Sequence, residues 1–418
     1  MSLTEMLRSA RFLACTCGVP TPFLLFDECE IRRTLSYFER HLPGVRLFYA
    51  IKANPHPLLL EYFAELGLSF DASSAQELTL LSQMRVPGGR IIFTNPIKSA
   101  GCLTSLLAHG VHGQTFDNGV ELEKIADFTR HCGSSKIPEL YLRIRVQSQD
   151  VQIDLNTKFG CAPEEAPALI KRASDLGLRP AGVAFHVGTQ SYLARNFASG
   201  LRSSLRIAET VRKRYGLDLS VINLGGGFPD PFLAREQGTN LDRLFSEIGM
   251  MCRDAVRAGF VLFAEPGRIL VSSAGVLVAS VIGLANRSGR RWLYLDDGIY
   301  GCYSGRRFDR KTFQFYPLAG AQRSSPFSGA RARFVVAGPT CDSLDVVEER
   351  ALLPADIAVG DYLCSPNLGA YSLATACNFN GFGVAMAAFV SKPEGSLGQT
   401  VRVLCPEEGI REFTMDAP

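Results

Sequence analysis

Between residues 45 and 268 the chain alternates two patterns. Short apolar runs, "LFYAIK", "LSFDAS", "RIIFTN", "GQTFDN", "LYLRIR", "VAFHVG", "VINLGGG" and "LFAEPGR", read as eight strands. Between them, apolar positions repeat every three or four residues over Pro57–Leu66, Ala75–Met84, Gly119–His131, Pro163–Leu176, Asn196–Tyr215 and Leu241–Ala258, which predicts helices. Strands separated by helices are parallel, and eight such units close into a (β/α)8 TIM barrel. After Glu265 the pattern becomes β-rich, with "GVLVASVIGLA", "RWLYLDDG", "ARFVVAG", "DYLCSPN" and "GVAMAAFV" separated by turns. These runs predict a second, mostly antiparallel β-domain. The expected fold is therefore α/β, a barrel that ends at about residue 268 followed by a β-domain over 269–418. A chain of 418 residues has the length for both.

In a barrel of this kind chemistry gathers at the carboxyl ends of the strands, and the polar residues of this chain fall there. Strand one ends in Lys52, strand two carries Asp71, strand five Arg143 and Arg145, strand six His186, strand seven Gly225, Gly226 and Gly227, and strand eight Glu265 and Arg268. Taken singly, a strand-end lysine or arginine is usually a solvated rim charge, and a lone histidine is usually a hydrogen-bonded core residue. Their convergence on one face is what points to a site. Three successive glycines let backbone N–H groups approach an anion closely, and the loops after strands seven and eight are where such barrels seat phosphate. The glycines are followed by Phe228-Pro229 rather than Lys-Ser/Thr, so this is no Walker A loop. A lysine facing a phosphate cradle, with a carboxylate on a third strand, is what pyridoxal 5'-phosphate requires. Its aldehyde needs an amine, its phosphate needs donors, and its pyridine nitrogen needs an acidic partner.

Composition narrows the partners. A net charge of +3 with 20% charged residues gives no nucleic-acid footprint, so a small-molecule partner is expected. Twelve cysteines are scattered without CxxC pairs, which disfavours zinc sites and a disulfide framework and suits a reducing, cytoplasmic setting. "RFLACTC" near the start lacks the long apolar run of a signal peptide, and no stretch has the length of a membrane span.

The segments "FYAIKANP", "FDASSAQEL", "FHVGTQ", "NLGGGFP", "FAEPGR", "GPTCDSLD" and "GAYSLATACNFNGF" together resemble the fold-III (alanine racemase-like) pyridoxal-phosphate decarboxylases, ornithine/lysine decarboxylase branch, in consistent order from about Pro22 to Phe382. The resemblance implies that Lys52 bonds the cofactor aldehyde, that Asp71, Arg143 and His186 line the cofactor, and that Glu265 faces the pyridine nitrogen. Thr189 stands where the family often has serine, and with Gly225 to Gly227, Arg268 and Tyr371 it would hold the phosphate. It further implies that residues 1–21 join the β-domain, leaving residues 22–268 as the barrel, and that the unit is a head-to-tail homodimer in which the Cys341-Asp342 pair reaches the partner's site. There Cys341 would protonate the carbon that loses CO2, and Asp342 would bind the substrate's far amine.

Asp309 aligns with a second acidic residue of ornithine decarboxylases, and Phe379 would pack the substrate's methylene chain. Two carboxylates suit a diamino acid, so L-ornithine or L-lysine is the expected substrate, giving putrescine or cadaverine. Arg306, Arg307, Arg310 and Lys311 crowd Asp309, which keeps open a substrate with a second carboxylate, meso-diaminopimelate or a carboxylated diamine conjugate. The diaminopimelate enzymes, however, carry Cys-Glu where this chain has Cys-Asp. A racemase of the same fold would place arginine rather than Glu265 on the ring nitrogen. A cofactor-free regulatory homologue would have lost several of these contacts, and a single-domain cofactor carrier would lack the β-domain.

Overall fold

A computed structural model describes residues 2–111, 113–133, 137–309, 311–391, 399–405 and 409–415. The chain divides into two compact units, Ser36–Ile269 and the combination of Met1–Leu35 with Leu270–Pro418.

The first unit is the barrel. Its strands are Val45–Ala50, Ser69–Ala72, Ile91–Phe93, Gly113–Phe116, Glu139–Ile144, Arg179–Phe185, Val221–Asn223 and Val261–Ala264. They pair in parallel in that order, and the last pairs with the first to close the ring. Ser69–Ala72, Ile91–Phe93 and Gly113–Phe116 are buried at every position, as strands covered by helices outside and side chains inside must be. All eight strands fall on the runs expected from the sequence. The helices follow the repeats closely, except that the one expected from Pro163 begins at Ala166. Short polar caps start several of them: Ser74 Oγ accepts the Glu77 N–H at 3.2 Å, and Asn118 Oδ1 accepts that of Glu121 at 2.9 Å. The pattern missed helices Glu28–His41 and Ala100–Ala108. The first has a polar mean character, and the second is capped by Ser99, whose Oγ accepts the Cys102 N–H.

The second unit is a ten-stranded, mostly antiparallel sheet. All five expected runs form strands: Gly275–Arg287, Arg290–Leu295, Arg331–Ala337, Tyr362–Pro366 and Met386–Ser391. Five more strands join them, including Val346–Pro354, whose Glu348, Glu349 and Arg350 hide its β character in the sequence. A boundary at residue 22 is not where the units part. Phe23–Asp27 is a fully buried strand of this sheet, antiparallel to Gly275–Arg287 and parallel to Met386–Ser391, so the N-terminal contribution runs to Leu35. Phe23 and Leu25 pack with Val276, Val278, Ala388 and Val390 in the core, and Phe26 stacks on Phe389 with ring centroids 4.9 Å apart. Among the described residues no helix is long and apolar enough to cross a membrane.

Barrel closure leaves no room at Gly182, where an added Cβ would lie 2.3 Å from the Val221 carbonyl oxygen on the neighbouring strand. Gly182→Ala should therefore destabilise the protein by about 1–3 kcal/mol, read as a lower urea midpoint with an unchanged slope.

Candidate active site

The first barrel strand ends in a single tight turn, Ile51–Ala53, with Ile51 and Ala53 buried and Lys52 between them partly exposed. Tyr49 locks the exit by donating from its hydroxyl to the Asn54 carbonyl at 3.0 Å. Lys52 Nζ lies 3.4 Å from Asp71 Oδ2, with the lysine side chain 41% exposed and the aspartate fully enclosed. Asp71 also accepts the Thr94 hydroxyl at 2.6 Å through its other oxygen. Burial raises its pKa, while the Lys52 charge, the Thr94 bond and Arg143 act against the rise.

Arg143 stands on the fifth strand with its guanidinium over the Phe159 ring, 5.1 Å from the centroid. Burial lowers its pKa, and the carboxylates of Glu265, Asp117 and Asp71 oppose that. His186, just past the sixth strand, accepts the Gly188 N–H on Nδ1 at 3.1 Å, so in the neutral ring the proton sits on Nε2. Burial, with Arg143 and Lys52 nearby, holds its pKa well below the ordinary histidine range. It is an uncharged ring at neutral pH.

The glycine turn is pressed against the neighbouring strand ends. Gly225 and Gly227 have φ of +64° and +94°, in the left-handed region that glycine alone adopts freely. A Cβ on Gly225 would fall 2.2 Å from the Phe185 carbonyl oxygen and one on Gly227 2.3 Å from that of Gly188, while at Gly226 it would meet the Glu265 carbonyl at 2.8 Å and His186 Nε2 at 3.0 Å. One residue that the sequence reading passed over ties this turn to the acid. Asn223 donates from Nδ2 to Glu265 Oε1 at 2.6 Å and accepts the Gly225 N–H on Oδ1 at 2.9 Å. Its only signal in the sequence is an amide side chain in an otherwise apolar strand directly before the glycines. Glu265 is raised to about 7, first by burial and then by the Asp71 charge, against Lys52, Arg143 and the Asn223 bond.

The structure thus brings Lys52, Asp71, Arg143, His186, Glu265 and the three glycines to one end of the barrel. Thr189 lies in the loop after strand six, its N–H donating to the Ile153 carbonyl at 3.0 Å. Arg268 is buried at the start of the short helix Arg268–Val271.

The β-unit gathers a second group. Tyr300 donates its hydroxyl to Asp342 Oδ2, and its ring stacks on Phe379 with centroids 4.3 Å apart. The Tyr300 bond is the main cause lowering the Asp342 pKa, followed by the Leu344 N–H, with a smaller effect from the Arg307 charge. Cys341 is exposed, and its N–H donates to Asn380 Oδ1 at 3.2 Å. Tyr300 is the residue missed here, a tyrosine that reads as one more aromatic in a turn. Asp309 closes the short helix Gly305–Phe308 through an N–H bond to the Gly305 carbonyl at 3.0 Å. Lys311, expected to crowd it, is buried instead and donates to the Asn367 carbonyl. Arg310 lies outside the described residues. Tyr371 has φ of +52°, and its carbonyl accepts the Thr375 hydroxyl at 2.9 Å.

Residues 28–272 match the pyridoxal binding domain of the pyridoxal-dependent decarboxylases. The chain belongs to this family. It is 34% identical to the lysine/ornithine decarboxylase of Selenomonas ruminantium over 90% of its own length and 91% of that protein's. A lysine/ornithine decarboxylase from Vibrio vulnificus, solved with cadaverine, superimposes with a TM-score of 0.80 at 31% identity, covering 94% of this chain and 100% of the other. The arginine decarboxylase of Paramecium bursaria Chlorella virus, solved with agmatine, gives 0.81 at 25% identity over 92% and 100% of the two chains. The protein is therefore a pyridoxal-dependent decarboxylase.

The raised pKa of Glu265 has a consequence for the cofactor-free decarboxylase. Between pH 4.5 and about 7 the folded state keeps a proton on Glu265 that the unfolded chain has released, so this residue's contribution to stability falls as pH rises through that window. Glu265→Gln removes the titration. The stability of the variant relative to wild type should climb from pH 4.5 to 7.5 by up to about 3 kcal/mol, measured by denaturant unfolding of the cofactor-free proteins.

Proposed function

We propose that the decarboxylase removes the α-carboxylate of L-ornithine or L-lysine, releasing CO2 and putrescine or cadaverine. The observation that carries the chemistry is the group Lys52, Asp71, Arg143, His186 and Glu265 beside a glycine turn with no room for a Cβ. These residues fit pyridoxal phosphate: an amine at 41% exposure beside a buried carboxylate, an acid linked through Asn223 to the turn, and a backbone cradle that any side chain would fill. Lys52 would hold the aldehyde, Gly225 to Gly227, Thr189, Arg268 and Tyr371 the phosphate, and Glu265 the pyridine nitrogen. When bound, the cofactor supplies a protonated ring that takes up the electron pair left as CO2 departs.

The chain's own groups do the rest. Neutral His186 offers a flat, uncharged face, so it adds no positive charge beside a protonated ring. Glu265, once opposite a cation, meets a charge that opposes the effect of burial and becomes the carboxylate that holds the ring proton in place. Asp71 and Arg143 balance charge around Lys52, so its amine is aimed by a buried partner rather than by water. Cys341 Sγ gives its proton to the α-carbon after CO2 has left, and the thiolate is reprotonated from solvent. Asp342, with Tyr300 donating to one oxygen, keeps its negative charge for the far ammonium of the substrate. Asp309 is the second carboxylate for that ammonium, and Phe379, stacked on Tyr300, packs the methylene chain.

The active unit in this reading is a head-to-tail homodimer in which Cys341 and Asp342 of one subunit complete the site of the other. One observation favours a different substrate, bearing a carboxylate at its far end: the Arg307 guanidinium acts on Asp342 and donates to the adjacent Leu344 carbonyl at 3.0 Å.

CO2 release from a panel of L- and D-ornithine, lysine, arginine and meso-diaminopimelate tests the substrate. Activity is expected on L-ornithine or L-lysine, and turnover of diaminopimelate alone would overturn that choice. Lys52→Ala and Cys341→Ala chains, each inactive alone, should regain about a quarter of wild-type activity when mixed. Half the dimers are then hybrids, each with one intact site, and no recovery on mixing means the sites are not shared.

A further inference from the structure

Asp71 has a different partner on each oxygen. Oδ2 meets the Lys52 ammonium at 3.4 Å and Oδ1 accepts the Thr94 hydroxyl at 2.6 Å, on a side chain that is fully enclosed. The first partner is temporary. An amine bonded to an aldehyde is no longer an ammonium, so Asp71 loses its nearest cation once Lys52 holds the cofactor. A buried carboxylate without its cation is driven toward the neutral acid. Whether Asp71 stays charged then depends on what remains around it.

Thr94 remains, and its backbone is fastened. It follows directly on the strand Ile91–Phe93 and is 8% exposed. Its N–H donates to the Ala72 carbonyl at 3.2 Å, which sets it beside Asp71 on the neighbouring strand. The turn that follows is tied on both sides. Asn95 Nδ2 donates to the Ser73 carbonyl at 3.3 Å. Lys98, whose side chain is fully buried, donates from Nζ to the carbonyls of Asn95, Pro96 and Thr115 at 3.3, 3.0 and 2.7 Å, and pairs with buried Glu121 at 3.2 Å. Thr115 belongs to the next strand, Gly113–Phe116. A β-branched threonine on such a backbone has few rotamers, so its hydroxyl stays where it is aimed.

The other charged groups near Asp71 do not replace it. Glu265 and Glu77, on the eighth strand and on the helix Ala75–Gln83, are acids that the Asp71 charge disfavours, and they disfavour it in return. Arg143 helps, but it also faces Glu265 and Asp117. Among the effects that oppose burial at Asp71, the Lys52 charge is largest, the Thr94 bond comes next and Arg143 is last.

We infer that Thr94 is a positioning residue: its hydroxyl keeps Asp71 a carboxylate, with Oδ2 turned to Lys52, while the lysine amine is bonded to the cofactor. This rests on the cofactor reading given above. An Asp71 that took up a proton would not attract the amine when it is released again. A hydroxyl holds the charge without adding a cation that would repel the returning ammonium.

Lys52→Met imitates the bonded state in the cofactor-free protein, since it removes the ammonium and leaves an uncharged side chain of similar length. Infrared spectra taken across pH, each subtracted from those of the matching protein with Asp71→Asn added, isolate the carbonyl band of protonated Asp71. Adding Thr94→Val, which keeps the shape and removes the donor, should raise the midpoint of that band by about 1–2 pH units. Thr94→Ser in its place should return the midpoint to within about 0.5 unit of the Thr94 protein. An unchanged midpoint with valine would mean that the hydroxyl does not hold the charge, and equal shifts with valine and serine would mean that only packing matters; either overturns the inference. If Thr94→Val does not fold, Thr94→Ala removes the same donor and should show the same rise. Wild-type protein whose Lys52 is not labelled by pyridoxal phosphate and borohydride would instead overturn the cofactor reading, a failure that the Asp71 midpoints do not share.

Discussion

Four ionisable groups of mixed sign are buried or half-buried at one end of the barrel, and the two acids are offset by the two cations beside them. Asp71 and Glu265 sit where burial favours the neutral acid, and Lys52 and Arg143 supply the opposing charge. A carboxylate alone in such a place would protonate, and a guanidinium alone would carry a desolvation cost with nothing to offset it. The balance in the cofactor-free protein leaves Glu265 close to neutrality in pH. Its charge is therefore decided by whatever cation is set against it, which is the property a partner for a pyridine nitrogen needs.

The closed ring turns this balance into a site of fixed shape. Parallel pairing brings the ends of strands one, two, five, six, seven and eight to the same rim, so residues separated by up to 213 positions, Lys52 and Glu265, act on each other electrostatically. The glycine turn fits between the ends of strands six and eight because it has no side chains, and Asn223 spans from that turn to Glu265 with both ends of one amide. The glycine turn and the acid are thus fixed by the same side chain.

In the β-unit the second group of side chains is held differently. Cys341 and Asp342 sit in an exposed loop, and the order there comes from side chains: Tyr300 holds the aspartate with its hydroxyl and Phe379 with its ring, while Asn380 receives the Cys341 N–H.

Periodicity alone was enough for the barrel. Eight apolar runs with helical repeats between them admit few arrangements, because a parallel strand must be followed by a crossover and the crossover must cover the sheet. The strand-end positions of Lys52, Asp71, Arg143, His186, the glycines and Glu265 were legible for the same reason, since the end of a run is visible in the sequence. The strand Phe23–Asp27 was not assigned to its sheet, because an apolar run does not say which neighbours it pairs with. Pairing depends on Gly275–Arg287 and Met386–Ser391, hundreds of residues away. Asn223 and Tyr300 were invisible for a related reason. Each matters through one hydrogen bond to a distant partner, and only three-dimensional packing decides whether an amide or a hydroxyl meets that partner or water.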